Sequence, residues 1–441
     1  MLKKVNDSPR TDVKILLRDA KFPAPFASGL EYAAPARGTW NIVHVGMLIP
    51  EAHEIFVCAA GCLRGVVLTA AEMGAAHRFS TVEVKEENLL NGDMEDLIID
   101  GVTDVLRKLP KMPPAVLVYT SCVHHFAGCD LDMVYRELRE RFPDVDFTDC
   151  YMNPIMRKSG LTPDQLMRKQ LYSLLKPREK NPKAAAILGN DFAVNENSEL
   201  VRLIRNAGYT LYEIQNCRTY EEYQRIAEAS VYITTYPSAK AGGDALAERL
   251  GGTHIHLPYT LDFDEIEANL ARLAEILGVP TPDMTEKRRE CAVKLCETRE
   301  IVGEDITIDY TACPRPLGLA RLLLDHDFNV TRIYADSFTG FDKPDFDKLQ
   351  ETWAKESDRL TVHPTVHASM RFHVSEVPCL AIGQKAAYFC GTEHFVNMVE
   401  GGGHWGYEAV LALCDDIIDA HNHTKPMREL IAVKGMGCSC V

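Results

Sequence analysis

The chain has 441 residues, with 48 Lys and Arg against 63 Asp and Glu, which gives a formal net charge of −15. Hydrophobic residues make up 46% and charged residues 25%, a composition that is typical of folded globular proteins and excludes a disordered chain. The acidic balance argues against nucleic acid as a partner, because no basic excess is available to neutralise phosphates. No apolar run approaches the ~18 residues of a membrane helix, and the N-terminus lacks an apolar signal segment, so we expect a cytoplasmic protein without a membrane partner.

Short apolar runs that predict β-strands alternate along the chain with amphipathic stretches that predict α-helices. In chain order, the predicted strands are 41–45, 54–58, 79–84, 115–120, 184–189, 231–235, 253–257, 305–309 and 330–334. The predicted helices are 94–109, 131–142, 198–207, 220–229, 266–277 and 317–326. Several strand runs are continuously apolar, as expected for strands that are buried on both faces of a parallel sheet. The pattern therefore predicts an α/β protein with parallel sheets.

Two polar, proline-containing segments divide this pattern into three units. Residues 176–183 (KPREKNPK) precede a predicted buried strand, and residues 278–289 (GVPTPDMTEKRR) follow a predicted helix. We therefore predict an N-terminal domain over 1–180, a central domain over 181–285 and a C-terminal domain over 286–441, each of the doubly wound, Rossmann-like type. The last domain ends in a short tail that carries Cys438 and Cys440.

Fourteen cysteines are more than packing alone requires, and the first informative pair is Cys58 and Cys62. The predicted strand 54–58 runs into Ala-Ala-Gly, and Cys62 then opens a helix. A sulfur at such a turn meets free backbone N–H groups and the positive end of the helix dipole, which stabilise a thiolate or a bound sulfide. The alternative interpretation is a pair of core cysteines that flank a tight turn.

A third cysteine, Cys122, follows the predicted strand 115–120 in the sequence TSCVHHFAGCDLD. Ligands of α/β proteins gather at the carboxyl ends of parallel strands, and Cys122 lies at such an end. Cys122, Cys129 and the two histidines between them lack the pair of short ligand arms that is typical of structural zinc sites. From these residues alone, a ligand role and a packing role for Cys122 both stay open.

The order of three short segments carries more information than any one of them. AAGC opens a helix at Cys62, TSC and then G-x-D follow a buried strand at Cys122, and a stretch with glycine, histidine and tyrosine, EGGGHWGYE, occupies 400–408. Together they resemble the nitrogenase component 1 family, whose late motif is H-G-Y. That family includes molybdenum-iron protein subunits, their assembly scaffolds, dark-operative protochlorophyllide reductases and methylthio-alkane reductases. The resemblance implies three doubly wound domains, a dimer or α2β2 tetramer with a paralogous or identical subunit, and an ATP-hydrolysing iron protein as electron donor.

The resemblance also implies an iron–sulfur cluster at the subunit interface. Carried over by position, Cys62 and Cys122 match two of the family's cluster ligands, whereas the family's upstream cysteine has no counterpart in residues 33–45. Cys58 is the nearest substitute, so the predicted ligand set of the N-terminal domain is Cys58, Cys62 and Cys122. A partner chain would complete the cluster, which we expect to be of the 4Fe-4S type or larger.

A substrate cavity between the three domains is a further implication of the resemblance. The stretch 233–240 lacks the cysteine that anchors the large cofactor of nitrogenase, and Trp405 stands where the motif histidine is expected, with His404 one residue earlier. The residues that we predict to line the cavity are Cys217, Lys385, His404 and Trp405. A second iron–sulfur cofactor in this cavity stays open.

These implications predict the catalytic-component subunit of a nitrogenase-like, ATP-dependent oxidoreductase that acts on a small molecule. Because the cofactor motif is imperfect, dinitrogen is disfavoured as the substrate, and we favour reductive carbon–sulfur cleavage of methylthio-alkanes. The alternatives are reduction of a tetrapyrrole and a scaffold on which a metallocofactor is assembled for transfer.

Overall fold

The computed structural model describes residues 13–27, 41–152, 160–353, 359–367, 370 and 378–431. The tail with Cys438 and Cys440 lies outside the described residues, as does most of the stretch 33–45. The strands are β1 (Ile15–Leu16), β2 (His53–Cys58), β3 (Phe79–Glu83), β4 (Ala115–Ser121), β5 (Asp146–Met152), β6 (Asn181–Leu188), β7 (Thr210–Glu213), β8 (Ala229–Thr234), β9 (Thr253–His256), β10 (Ile306–Asp309), β11 (Val330–Tyr334), β12 (Thr361–His363), β13 (Leu380–Ile382) and β14 (Phe395–Val396). The α-helices are α1 (Ile42–Gly46), α2 (Ala60–Glu72), α3 (Glu86–Asn91), α4 (Met94–Lys108), α5 (Cys122–Ala127), α6 (Leu131–Arg141), α7 (Pro163–Gln170), α8 (Glu199–Asn206), α9 (Tyr220–Gln224), α10 (Lys240–Leu250), α11 (Phe263–Leu277), α12 (Thr285–Ile301), α13 (Pro316–Asp325), α14 (Lys343–Thr352), α15 (Gln384–Cys390), α16 (Tyr407–Asn422) and α17 (Met427–Leu430). Within the described ranges, none of these helices combines the length and the apolar content that crossing a bilayer requires.

The strands form three sheets that, apart from β1, follow one another along the chain. The first sheet has the order β3-β2-β4-β5 and the second has the order β7-β6-β8-β9, and all their neighbouring strands run parallel. The third sheet has the order β1-β12-β11-β10-β13-β14 and is parallel except for β1, which pairs antiparallel with β12. The predicted α/β class with parallel sheets is confirmed, with β1 as an antiparallel addition at one edge. The division at residues 180 and 285 stays a prediction.

Two shared apolar cores hold the three sheets together. One core combines Phe56 and Tyr119 of the first sheet with Tyr232 of the second sheet. The other core combines Ile233, the next residue of the second sheet, with Ile308 of the third sheet. Because successive strand residues point to opposite faces, the second sheet lies between the other two and is covered on both sides.

One predicted strand folds as a helix. Residues 41–45 form the start of α1, because the side-chain oxygen of Asn41 accepts hydrogen bonds from the backbone N–H groups of Val43 at 3.0 Å and His44 at 3.4 Å. In return, Nδ1 of His44 accepts a hydrogen bond from the Asn41 N–H at 3.2 Å. This reciprocal cap satisfies the free donors at a helix start, and the apolar pattern alone does not reveal it.

The parallel pairing of β2 with β4 positions the candidate ligands. Val57 lies opposite Thr120 in the ladder, so the next residues, Cys58 and Ser121, occupy neighbouring strand ends. Helices α2 and α5 begin close after these ends. The carboxyl edge of a parallel sheet is where α/β proteins bind their ligands.

Candidate functional site

The three predicted ligand cysteines lie at the carboxyl edge of the first sheet. Cys58 is the last residue of β2 and is fully buried, Cys62 is exposed in the first turn of α2, and Cys122 begins α5 and is half-buried. The neighbouring strands β2 and β4 bring Cys58 and Cys122 to one place. Cys62 joins them because the chain turns from strand into helix at Ala59, whose carbonyl accepts a hydrogen bond from the Cys62 N–H at 2.9 Å.

The thiols of Cys62 and Cys122 both act electrostatically on Cys58, as expected for sulfurs that share one site. The pKa of Cys58 is raised to about 12, mainly by burial and further by the thiols of Cys62 and Cys122, while a hydrogen bond with the Ser121 side chain opposes the shift. A thiolate at Cys58 is therefore unfavourable in the protein alone. Binding of a metal would stabilise the thiolate, because metal binding to cysteine releases the thiol proton.

The donor set is compatible with an iron–sulfur cluster and less so with a single metal ion. Within the described ranges, no three His, Cys, Asp or Glu side chains are arranged to bind one ion. The cysteines of a cluster bind different iron atoms, so they need not converge on one point. The N-terminus of the 13-residue helix α2 adds a positive potential beside Cys62, which favours thiolate and sulfide.

Exposed apolar side chains lie on the two helices that carry Cys62 and Cys122. Phe126 of α5 is 70% exposed, and Leu68 of α2 is 47% exposed. A Cβ atom added at Gly61 would meet no atom within 4 Å, so the surface beside Cys62 is open. Exposed apolar side chains of this size are one feature of surfaces that bind another protein.

The structure places His404 and Trp405 in different environments. Trp405 is buried in the core between the second and third sheets, and its indole Nε1 has no hydrogen-bond partner among the described residues. His404 is half-buried, and its Nδ1 lies 2.6 Å from Oε1 of Glu408, whose carboxylate raises the pKa of His404. The preceding loop packs on the loop after β6, where the Asn195 N–H donates to the Gly403 carbonyl at 2.9 Å. His404 therefore lies where the second and third sheets meet.

The other two predicted cavity residues lie at the ends of strands in different sheets. The thiol of Cys217, just after β7, donates to the Glu213 carbonyl at 3.4 Å, and burial raises the pKa of Cys217 to about 11. The ammonium of Lys385 donates to the Tyr310 hydroxyl at 2.6 Å and lies 4.6 Å from the centre of the same ring. Among the described residues, no hydrogen bond or ion pair joins any two of the four predicted cavity residues, so their common cavity stays a prediction.

The sequence did not indicate a buried ionic cluster that links the second and third sheets. The guanidinium of Arg168 in α7 lies 2.8 Å from Asp191 and 3.1 Å from Asp164, and the Tyr236 hydroxyl donates to the Glu400 carbonyl. Burial raises the pKa of Asp191 and that of Glu400, and Arg168 opposes both shifts. The available signal was Asp191, a polar residue two positions after the predicted strand 184–189. Arg168 gave no such signal, because its helix α7 was not among the predicted helices.

Comparison with known proteins identifies the family to which this arrangement belongs. The family model for nitrogenase component 1 type oxidoreductases matches residues 43–421. Two solved structures, described as nitrogenase Cp1 at pH 6.5 and nitrogenase Cp1 at pH 5, match with TM-scores of 0.64 and 0.55, both at 12% identity. Each match covers 90% of this chain, and they cover 94% and 90% of the respective nitrogenase chains. At that identity, the structural likeness shows the fold alone. No curated protein matches the sequence. Since the family model spans most of the sequence, this chain belongs to the nitrogenase component 1 type oxidoreductase family.

Proposed function

We propose that this chain is the electron-accepting, catalytic-component subunit of an ATP-dependent two-component reductase. The observation that carries the proposal is the meeting of Cys58, Cys62 and Cys122 at the carboxyl ends of β2 and β4. Thiolates hold iron–sulfur clusters, here of the 4Fe-4S type or larger, and such a cluster accepts and releases single electrons. Membership of an oxidoreductase family supports a redox role for these sulfurs.

The surrounding residues keep one side of the site rigid and dry. Cys58 is held in β2 between β3 and β4, and it has no exposure to solvent. On the same face of β2, the rings of Phe56 and Tyr119 stack with their centres 4.0 Å apart, which fills the space behind the sulfur. Cys62, in contrast, reaches the surface. A site that excludes water on the side of Cys58 and is open to solvent at Cys62 suits a cluster whose ligands come from two subunits.

The partners that we propose are a second component 1 subunit and an ATP-hydrolysing iron protein. The second subunit, a paralogue or another copy of this chain, would cover the exposed side chains of Phe126 and Leu68 and complete the ligand set. Burial of exposed apolar area is the dominant favourable term in most protein association. The iron protein would supply the electrons, as the family implies.

For the reaction, we propose that His404 supplies protons to a small substrate. The carboxylate of Glu408 fixes the imidazole orientation at 2.6 Å and favours its protonated form, as the raised pKa of His404 indicates. Our first test substrate is a methylthio-alkane. Cleavage of one carbon–sulfur bond consumes two electrons and two protons and releases a thiol and a hydrocarbon, so electrons and atoms balance.

The ligand assignment is tested by the iron content of anaerobically purified variants. We expect Cys122→Ala to lose most of the bound iron and the visible absorption of the wild-type protein. The matched control is Cys129→Ala, because Cys129 is also half-buried and lies in the same segment, but packs against the core on the other face of the first sheet. Wild-type iron content in Cys122→Ala, or equal loss in both variants, would contradict the assignment.

The catalytic role is tested by turnover with the cognate iron protein, ATP and dithionite. Thiol released from a methylthio-alkane in an ATP-dependent manner supports the reductase, and we expect Glu408→Gln to lower this rate by about tenfold or more through His404. Transfer of iron to an acceptor protein without any reduced product would support the assembly scaffold instead. The absence of the anchoring cysteine from 233–240 is the feature that favours that second candidate.

A further inference from the structure

A second cavity, away from the cysteines, lies at the edge of the second sheet. It has a volume of about 370 Å³ and opens at the carboxyl ends of β8 and β9, between α10 and α11. This size falls within the range of small-molecule sites. Its charged and polar lining consists of Lys240, Asp244, His254, His256, Arg272 and Glu275.

A continuous chain of hydrogen bonds runs along the wall of this cavity. Oδ1 of Asp244 lies 2.7 Å from Nδ1 of His254, and Nε2 of His254 lies 2.9 Å from Oγ1 of Thr234. The same Thr234 oxygen lies 3.0 Å from Nδ1 of His256. Helix α10 approaches closely because its residue 243 is glycine: a Cβ atom on Gly243 would lie 2.3 Å from Nε2 of His254.

The donor and acceptor capacities of these groups fix the position of every proton in this chain of hydrogen bonds. Burial lowers the pKa of both His254 and His256, so both imidazoles are neutral at neutral pH, and each carries one N–H. The ionised Asp244 only accepts, so His254 carries its proton on Nδ1 and its Nε2 accepts from the single hydroxyl proton of Thr234. The Thr234 oxygen can then only accept, so His256 carries its proton on Nδ1.

With its proton on Nδ1, His256 has no hydrogen on Nε2, so this atom can only accept a hydrogen bond. The atom is buried and has no hydrogen-bond partner among the described residues. Burial is the main cause that lowers the pKa of His256 to about 4, and the neighbouring His254, Lys240 and Arg272 contribute to it. A buried acceptor without a partner is unfavourable, so a ligand that donated a hydrogen bond to this atom would be stabilised.

The other charged groups that face the cavity differ in whether they are paired. Lys240 lies 2.8 Å from Asp244, which also accepts from His254, so both members of this pair are satisfied. Arg272 and Glu275 of α11 have no hydrogen bond or ion pair among the described residues. Arg272 is therefore the cation that is available to an incoming anionic group, and a guanidinium suits a carboxylate or phosphate.

We propose that this cavity binds a small molecule that carries an anionic oxygen group and a hydroxyl or amino group. Arg272 binds the anionic group, and Nε2 of His256 accepts a hydrogen bond from the hydroxyl or amino group. The ring of Phe341, with its centre 5.9 Å from that of His256, packs beside the imidazole and helps to hold its orientation. The site does not depend on the proposed cluster or on the proposed reductase activity.

Lactate and propionate test the proposal, because they differ in one hydroxyl group. By calorimetry on the full-length protein, we expect saturable lactate binding and at least about tenfold weaker propionate binding, since only lactate can donate to His256.

Arg272→Gln and His256→Phe should each weaken lactate binding by about tenfold or more. The control Arg136→Gln, an exposed arginine on α6, should leave the lactate Kd unchanged. Absence of saturable lactate binding, equal binding of both acids, or no effect of Arg272→Gln would overturn the proposal.

A ligand-free measurement tests the proton order independently. In protein with ¹⁵N-labelled histidine, His256 should give the nitrogen shifts of the Nδ1–H tautomer at pH 7, and lactate should shift its Nε2 signal. An Nε2–H tautomer of His256 in the wild-type protein would also overturn the proposal, whatever the calorimetry gives.

Discussion

At the scale of single residues, Glu213 illustrates how burial makes the stability of this protein depend on pH. Glu213 ends β7 and is only 5% exposed, and its carboxylate accepts from the Val194 N–H at 2.8 Å and from Asn216 Nδ2 at 3.3 Å. Burial outweighs these bonds and raises the pKa of Glu213 from its ordinary value of 4.5 to about 7. Between those values, the folded chain holds a proton that the unfolded chain has released. The stability of the fold therefore falls as the pH rises from 4.5 to 7.

We predict that Glu213→Gln stabilises the protein at pH 8 and has little effect at pH 4.5. The amide cannot ionise, so the variant avoids a penalty that grows through this window and reaches at most about 3 kcal/mol above pH 7. Urea midpoints measured from pH 4.5 to 8 check the prediction. The control Glu140→Gln, on an exposed position of α6, should show no such trend. A stabilisation of Glu213→Gln that is independent of pH would contradict the account.

At the scale of secondary-structure elements, an ionic network joins α11 to α13 and α14. Asp345 of α14 is 0% exposed, and one of its carboxylate oxygens lies 2.7 Å from Arg315 while the other lies 3.3 Å from Arg321. Both arginines also reach the start of α11, where Arg315 pairs with Glu265 and Arg321 pairs with Asp262. Asp345 is the member that contacts both cations. Its removal would leave two largely buried guanidinium groups with a single partner each.

We predict that Asp345→Asn destabilises the protein by about 3 kcal/mol, because an uncompensated buried charge is costly. The matched control is Asp347→Asn on the same helix, where Asp347 is half exposed and pairs with Lys343. Exposed pairs of this kind contribute about 0–1 kcal/mol, so the control should stay close to wild type. Chemical denaturation of the three proteins checks the difference. Similar midpoints for the two variants would show that the network does not stabilise the junction.

Some of the secondary-structure elements could be predicted from the sequence, and others could not. The run 115–120 predicts β4 because a strand covered on both faces is apolar throughout. The run 41–45 is similarly apolar, yet Asn41 caps it into α1, so hydrophobicity alone misassigned it. The strands β5 and β7 were not predicted, because both lie at sheet edges and carry polar residues along their length.

Part of the candidate site could likewise be predicted from the sequence, and part could not. Cys58 and Cys122 could be placed together from the sequence, since each follows a buried strand and parallel strands end at one edge. The contacts of Arg168 with Asp191 could not be predicted, because they depend on how a helix of the first half packs against the second sheet. The hydrogen bonds that link Asp244 to His256 could not be predicted either, because they depend on the register of β8 and β9, in which Thr234 lies opposite His256. Sequence patterns give the ends of strands, and tertiary packing selects which side chains meet there.

At the scale of the whole molecule, the exposed surface beside the cysteines is the feature that a single chain leaves unexplained. The first sheet buries Cys58 but presents Cys62, together with Phe126 and Leu68, to solvent. Burial of apolar side chains that are this exposed would favour association with another protein. A subunit that docked there would also bring its own ligands to the same edge. Assembly and iron binding should therefore be coupled.

We predict that Phe126→Asp and Leu68→Asp each dissociate the proposed complex of this chain with a second copy or a co-expressed paralogue. A carboxylate buried without a partner costs about 3 kcal/mol, or roughly a hundredfold in Kd. In sedimentation, the variants should approach the 49.3 kDa of the single chain and lose iron, although no ligand cysteine is changed. Met112→Asp is the control, because Met112 is 45% exposed but precedes β4 at the opposite end of the first sheet. If Phe126→Asp kept both its assembly and its iron, or if Met112→Asp dissociated equally, this surface would not be the interface.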